Sequence, residues 1–184
     1  MEKAMRCMCG KAGIWERKNE GRSYCRGCFI RQMEAIARRC LRKSGVCDGD
    51  NIGLVDRGDA QSAMMKKIAE KSLSGNRKIR FSVMRGRVSG FTKIAVPDTV
   101  EEAAAGFLEF LAAGKRKGCG KLKIIFPLSG IRRQEAVLYC RLMGIRHSKS
   151  RCSGPFEDMV IRLDRKYPGI AFQAVTFAKK VGMV

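Results

Sequence analysis

The chain is poor in acidic residues, aromatic residues and proline. It holds 17 Asp and Glu against 38 Lys and Arg, which gives a formal net charge of +21 over 184 residues. Such an imbalance exceeds what solubility requires, so we expect a polyanionic partner. The 45% of apolar residues is enough to build a packed core, which excludes wholesale disorder.

Long apolar runs are also missing. No uncharged stretch approaches the roughly 20 residues that a membrane-spanning helix needs, so we expect no membrane partner. The first ten residues, MEKAMRCMCG, carry charges with no apolar run behind them, so a secretory signal is not expected. We therefore expect a cytoplasmic protein whose nine cysteines are not paired in disulfides.

Four cysteines near the start form two short pairs. Fifteen residues separate the pair Cys7 and Cys9 from the pair Cys25 and Cys28, and the segment between them suits a hairpin. Thiolates are good ligands for tetrahedral Zn²⁺, and one ion can close a module too small to fold on its own core. The spacing therefore predicts a zinc ribbon. Reduced, unliganded thiols and an iron–sulfur cluster are the alternatives.

Other cysteines and the single histidine carry less information. Cys40 and Cys140 lie on the apolar faces of predicted helices and are expected in the core. Cys119 and Cys152 lie in loops among cations, and their roles stay open. His147 follows a helix end with no acid or serine placed beside it to form a triad, so we expect a surface or structural residue.

Hydrophobic periodicity predicts an α/β domain after the ribbon. Apolar spacing indicates a helix at 29–41, and three helices in the C-terminal third at 132–143, 155–166 and 170–181. Between them, strands alternate with helices, with strands at 52–55, 78–84, 91–96 and 121–126 and helices at 61–73 and 98–113. This alternation favours a parallel sheet. We divide the chain into a zinc ribbon with a basic helix at 1–45 and an α/β domain with a helical C-terminus at 46–184.

Positive charge is concentrated in three segments. Residues 22–43, 66–93 and 115–133 hold seven, nine and seven Lys or Arg, against one, one and no acids. Three such runs together indicate a polarised surface, and nucleic acid is the expected partner. Because aromatic residues make up only 7% of the chain, we expect phosphate contacts to dominate over base stacking. The candidate RNA contacts are Arg38, Arg39, Arg42, Lys43, Lys115, Arg116, Lys117, Arg132 and Arg133.

Residues 52–64, IGLVDRGDAQSAM, resemble the nucleotide loop of the PP-loop proteins that thiolate the wobble uridine of tRNA. In active members a strand leads into SGGKDS, whose glycines and amides cradle phosphate at a helix N-terminus. The matching residues are Asp56, Arg57, Gly58, Asp59, Ala60 and Gln61, followed by Ser62. Only Gly58 is kept, and Asp59 stands where the family has Lys. Two carboxylates therefore lie where phosphate should bind, and we expect no ATP binding there.

The tripeptide Ser62-Ala63-Met64 is similar to that of the cytoplasmic tRNA 2-thiolation protein 2 family, the degenerate subunit that lacks the lysine. Blocks at 91–114, 126–139 and 156–181 follow in the order of that family. Some features differ. The family's GHN motif is replaced by Val96-Pro97-Asp98, the large insert with a Cys-x-x-Cys is missing between 84 and 91, and the chain is shorter than typical relatives.

This resemblance implies a degenerate PP-loop fold, like that of the adenine nucleotide alpha hydrolases, behind the zinc ribbon. It also implies a non-catalytic subunit that binds tRNA and supports 2-thiolation of the wobble uridine by a catalytic PP-loop partner in a heterodimer. Any activity would belong to that complex. One alternative is a zinc-ribbon protein bound to ribosomal RNA, which the composition fits equally well. The other is an active ATP-dependent tRNA sulfurtransferase, which the charge of the loop opposes.

Overall fold

A computed structural model of the protein describes residues 5–73, 78–84, 90–114, 123–148 and 152–181. In these residues the elements follow one another as β1 (Trp15–Arg17), β2 (Arg22–Tyr24), α1 (Arg26–Lys43), β3 (Asn51–Leu54), α2 (Ala60–Leu73), β4 (Arg80–Val83), β5 (Lys93–Ala95), α3 (Val100–Ala113), β6 (Lys123–Ile125), α4 (Arg133–Met143), α5 (Pro155–Lys166) and α6 (Ile170–Lys180).

The central sheet has the strand order β4-β3-β5-β6. β3 pairs in parallel with β4 on one side and with β5 on the other, and β5 pairs in parallel with β6. The chain therefore winds outward from β3 to β4 and then from β5 to β6. In such doubly wound sheets, ligands bind in the crevice at the carboxyl ends of the two central strands. The predicted parallel α/β fold is confirmed.

The N-terminal hairpin lies slightly further along the chain than its sequence pattern indicates. β1 and β2 pair antiparallel, with Trp15 opposite Tyr24. The sequence Gly13-Ile14-Trp15 is strand-like, but the amide of Gly13 donates to Met5 O at 2.8 Å, and Ala12 bridges to Arg6. Residues 12–13 therefore pair with the cysteine loop before them, and the hairpin starts beyond them.

One apolar core joins α1 to the sheet and to the helices α2 and α4. Phe29 and Met33 of α1, Met64 of α2 and Tyr139 of α4 are all fully buried in it. Gly130 approaches α1 so closely that a Cβ there would lie 2.8 Å from a methyl group of Ile36. The boundary that we draw at residue 45 therefore divides the chain between segments that share a core.

Helices α3, α5 and α6 form a second apolar cluster. Val100 and Ala104 of α3 pack there with Val160 of α5 and with Ala171 and Val175 of α6. α3 is capped at its start by a reciprocal Thr99 and Glu102 capping box and ends at Gly114 in the left-handed conformation. In the described part of the chain no helix is long and apolar enough to span a membrane.

Candidate functional site

The four N-terminal cysteines converge at one point. The sulfurs of Cys7, Cys9, Cys25 and Cys28 all lie within 4.8 Å of one another. Cys7 and Cys9 belong to the loop before β1, Cys25 is the N-cap of α1, and Cys28 lies in its first turn. Cys7 and Cys25 are buried, whereas Cys9 is exposed. The hairpin thus brings together two pairs that are distant in sequence.

Backbone amides around this cluster favour the thiolate form. Amides of Cys9 and Cys25 donate towards Cys7 and hold the pKa of its thiol at about 6. The Cys28 amide lowers the pKa of Cys25 in the same way. The guanidinium of Arg31 adds a hydrogen bond to Cys28 Sγ at 3.4 Å. At Cys9 the Lys11 amide lowers the pKa, but hydrogen bonds shared with the sulfurs of Cys7 and Cys25 outweigh it and raise that pKa to about 11. The surroundings therefore favour the thiolate, the form that ligates metals, at Cys7 and Cys25.

The spacing of the sulfurs suits a single ion. Thiolates bind zinc at about 2.3 Å, which in a tetrahedron places the sulfurs about 3.8 Å apart. The Sγ atoms of Cys9 and Cys25 are 3.5 Å apart, and all four lie within 4.8 Å. A [4Fe-4S] cube would hold its ligand sulfurs further apart, since four irons and four sulfides lie between them. The donor set therefore fits a mononuclear centre.

The loop between β3 and α2 lies at the carboxyl edge of the sheet, in the crevice between β3 and β5. Three of its amides are bound by its own side chains: Gly58 N donates to Asp56 Oδ1 at 2.9 Å, Arg57 N to Ser62 Oγ at 2.9 Å and Ser62 N to Asp59 Oδ1 at 2.8 Å. Amides that could otherwise cradle an anion therefore satisfy carboxylates and a hydroxyl of the same loop.

Cations near the loop are engaged with acids as well. Lys66, in the second turn of α2, forms an ion pair with Asp56 and lowers the pKa of that carboxyl. Arg57 Nη2 lies 2.6 Å from Asp98 Oδ1, and its Nη1 lies 3.3 Å from Glu102 Oε1. Lys66 is a partner that the hexapeptide itself does not reveal. These pairs keep Lys66 and Arg57 engaged inside the crevice.

A segment that follows α4 contacts the loop. Ser148 donates to Gly58 O from both its amide, at 2.9 Å, and its Oγ, at 2.7 Å. Gly58 adopts a φ of +74°, and a Cβ there would lie 3.3 Å from Ser148 Oγ. Asp59 is 2% exposed and Gln61 is fully buried. The Asp59 end of the loop is therefore buried, whereas Asp56, Arg57 and Gly58 stay exposed.

Of the predicted RNA contacts that the structure describes, those at the basic end of α1 are the most accessible. Arg38, Arg39, Arg42 and Lys43 are all exposed. Arg38 lies 3.9 Å from Glu34, which also accepts a hydrogen bond from Tyr139 and forms an ion pair with Lys71. With its side chain 46% exposed, Arg38 remains available to solvent.

Arg132 and Arg133 lie elsewhere and hold helices together. Arg132 forms an ion pair with Asp164, and its guanidinium lies 5.1 Å from the ring centre of Phe172. Arg133 pairs with Glu102 at 3.4 Å and also with Glu157 of α5. Their side chains are 20% and 17% exposed, so they offer RNA little surface. Lys115, Arg116, Lys117 and Cys119 lie outside the described residues.

A buried ion pair between the hairpin and α4 was not anticipated from the sequence. Arg17 Nε lies 2.6 Å from Glu135 Oε1, and Arg17 Nη2 donates to Gly130 O at 3.0 Å. Trp15 Nε1 donates to the same carboxylate at 3.3 Å, and Arg132 N donates to it at 2.8 Å. In the sequence, the position of Glu135 three residues after a predicted helix start indicates a capping role. No comparable pattern points to Arg17.

Comparisons with known proteins bear on the fold. No family model matches the chain, and no curated protein matches it in sequence. Its structure is similar to that of the U34-tRNA thiolase NcsA from Methanococcus maripaludis, solved with its [4Fe-4S] cluster. The TM-score is 0.78 at 14% identity, over 98% of this chain and 88% of that one. The chain thus has the fold of a PP-loop tRNA thiolase, and the similarity extends over the four-cysteine module.

Proposed function

We propose that the chain is a non-catalytic, zinc-containing RNA-binding protein. In this proposal it acts in the cytoplasm, where it helps a catalytic PP-loop subunit, in a heterodimer, to hold tRNA during 2-thiolation of the wobble uridine. The observation that carries the proposal is the nucleotide loop. In a fold like that of a tRNA thiolase, the loop that should bind phosphate is filled by its own carboxylates.

Loss of ATP binding follows from charge and from hydrogen bonding. A phosphate charge about 4 Å from one of these carboxylates would be repelled by about 4 kcal/mol at the effective dielectric of a protein surface. It would also have to displace the contacts that Asp56 and Asp59 make with the amides of Gly58 and Ser62. Lys66 offsets the charge of Asp56, but the carboxylate Oδ2 of Asp59 is buried and has no hydrogen-bond partner among the described residues.

Zinc is the ion that the four thiolates suit best. Cys7, Cys9, Cys25 and Cys28 would hold it and, once bound, it would supply a structural cross-link between the loop before β1 and the start of α1. The ribbon at 1–45 would then present the basic end of α1 beside the α/β domain at 46–184. The neighbouring thiolase carries a [4Fe-4S] cluster, but the short distances between these four sulfurs favour a single ion.

RNA binding is assigned mainly to the end of α1. Arg38, Arg39, Arg42 and Lys43 are exposed in one stretch of helix on a protein of net charge +21. Such a stretch suits the closely spaced phosphates of a tRNA arm, and its contribution should weaken with salt. In this proposal Arg132 and Arg133 hold the helices in position through their ion pairs.

Calorimetry with ATP and Mg²⁺ on the full chain tests the proposal. We expect no saturable heat at micromolar ATP, while tRNA binding measured on the same preparation is retained. A micromolar Kd with stoichiometric heat, abolished by Gly58→Val in a protein that keeps its circular dichroism, would favour the active sulfurtransferase instead. Copurification with ribosomal subunits rather than with a PP-loop enzyme would favour the ribosomal RNA alternative.

A further inference from the structure

The outer face of α6 carries an open cleft with aromatic walls. Its volume is about 430 Å³, and it is lined by Phe172, Gln173, Thr176, Phe177 and Lys180. Phe177 is 57% exposed, although large apolar side chains are normally buried. An aromatic ring held in solvent beside a lysine calls for a ligand with both apolar and anionic parts.

Both aromatic walls are held in place by the rest of the fold. The Phe177 ring packs against Phe107 of α3, with ring centres 5.8 Å apart. The Phe172 ring lies beneath two guanidinium groups, those of Arg132 at 5.1 Å and Arg17 at 5.5 Å. The rings therefore do not need to be ordered by a ligand, which lowers the entropic cost of binding.

The helix that forms the cleft carries positive charge and no acid. Residues 165–184 contain no Asp or Glu, and α6 ends with Lys179 and Lys180. Lys179 Nζ lies 2.9 Å from Ser129 Oγ, which leaves Lys180 as the cation that lines the cleft. A ligand with an anionic group next to a flat ring would match both Lys180 and the aromatic walls.

A protein partner fits this surface poorly. Five side chains of a single helix are far fewer than the roughly 20 to 30 residues that each side of a stable interface provides. A second copy of the chain would also bring its own net charge of +21 against the same positive face. A single nucleotide matches the size, the aromatic walls and the charge together.

We propose that this cleft binds an unpaired base of RNA. The base stacks on Phe177, its phosphate lies near Lys180, and the amide of Gln173 provides a donor and an acceptor for the base edge. The inference rests on the RNA binding of the proposed function and adds a second, base-dependent contact to it. The low aromatic content of the sequence led us to expect little stacking, and α6 is an exception to that expectation.

Fluorescence anisotropy with two labelled oligonucleotides tests the cleft. One is octauridylate, and the other is an abasic ribose phosphate oligomer of the same length and charge. We expect the protein to prefer the first by about 5- to 150-fold, the range that stacking of one base gives. Phe177→Ala should remove this preference without changing affinity for the abasic oligomer, and Phe177→Trp should keep it. Leu111→Ala is the control, since it trims an exposed aliphatic side chain, 58% accessible, on α3.

Several outcomes would overturn the inference. Equal affinity for the two oligomers would do so, as would full retention of the preference in Phe177→Leu, because leucine has no ring to stack. A dimer in sedimentation that Phe177→Ala dissociates would assign the face to a second copy. If tRNA binding persists without base preference, this inference alone is wrong. If neither oligomer nor tRNA binds, the proposed function is wrong as well.

Discussion

Replacing Arg17 with methionine removes the cation of the ion pair that joins the hairpin to α4. The Arg17 side chain is 2% exposed and that of Glu135 is fully buried, so solvent cannot replace the lost partner. Methionine keeps most of the apolar stem, so the loss is mainly electrostatic. Removing one member of a buried pair costs about 3 to 5 kcal/mol, because the other charge is left uncompensated.

Some contacts of this pair survive the substitution and others are lost. Glu135 would keep the indole of Trp15 at 3.3 Å and the amide of Arg132 at 2.8 Å. It would lose the Arg17 Nε contact at 2.6 Å, and Gly130 O would lose its donor at 3.0 Å. For a chain of this size, about 3 to 5 kcal/mol corresponds to a fall in Tm of roughly 6 to 20 °C.

The assay is urea unfolding of the metal-loaded protein, with thermal unfolding alongside it. Glu16→Gln, an exposed change on the same strand, is the control and should stay within about 0.5 kcal/mol of the parent. The double variant Arg17→Met with Glu135→Leu should recover most of the loss, apart from about 1 kcal/mol for the missing helix cap. A single variant as stable as the parent, or additive effects in the double variant, would refute the coupling.

Three further predictions concern the metal, one buried carboxylate and two glycines. Cys25→Ala should abolish stoichiometric zinc in elemental analysis and expose the hairpin to protease, and zinc that is retained would contradict the assigned ligands. Burial raises the pKa of Asp50, but the amine of Lys93, the amide of Cys47 and the hydroxyl of Thr92 together outweigh this and the pKa falls from 3.8 to about 2. Asp50 thus stabilises the fold above pH 4 and loses this effect as the pH falls towards 2. The unfolding free energies of the parent and Asp50→Asn should therefore converge by about 2 kcal/mol, and a constant gap would contradict this. Gly130→Ala should destabilise by about 1 to 3 kcal/mol, since its Cβ meets α1 at 2.8 Å, whereas Gly106→Ala, with nothing within 4 Å, should stabilise α3 by up to about 1 kcal/mol. Equal changes in unfolding free energy for the two variants, measured with urea, would refute the close approach of Gly130 to α1.

Features set by local periodicity were predictable from the sequence. The two cysteine pairs, the apolar stripe of α1 and the alternation of strands with helices all repeat over short stretches, and the structure has them in the expected order. Boundaries moved where a local contact decided them. α1 starts at Arg26, three residues before its first apolar position at Phe29, because Cys25 is its N-cap.

Features set by distant contacts were not predictable. Arg132 and Arg133 look like RNA contacts in sequence because the acids that bind them lie about 30 residues away in either direction. Phe177 is a large apolar residue of a predicted helix, where such side chains are normally buried, yet it ends in solvent because no further element covers it among the described residues. Which acid pairs with an arginine, and whether a helix face is covered, depend on tertiary packing, which hydrophobic periodicity does not encode.

The basic end of α1 allows a matched pair of variants for the RNA assignment. Replacing Arg38, Arg39 and Arg42 with glutamine removes three exposed cations. The control replaces Arg162, Arg165 and Lys166, exposed cations of α5, with glutamine and so makes the same change in net charge. Both variants should keep the zinc content and the circular dichroism of the parent.

The affinity of these proteins for tRNA as a function of salt is the most direct test of the RNA-binding function. Each lost phosphate contact should flatten the slope of log affinity against log salt by about 0.7 to 0.9. For the α1 variant we therefore expect weaker binding and a slope flatter by about 2 to 3, while the α5 control keeps the slope of the parent. Equal slopes in all three proteins, or no tRNA binding by the parent at about 150 mM salt, would contradict tRNA binding through α1.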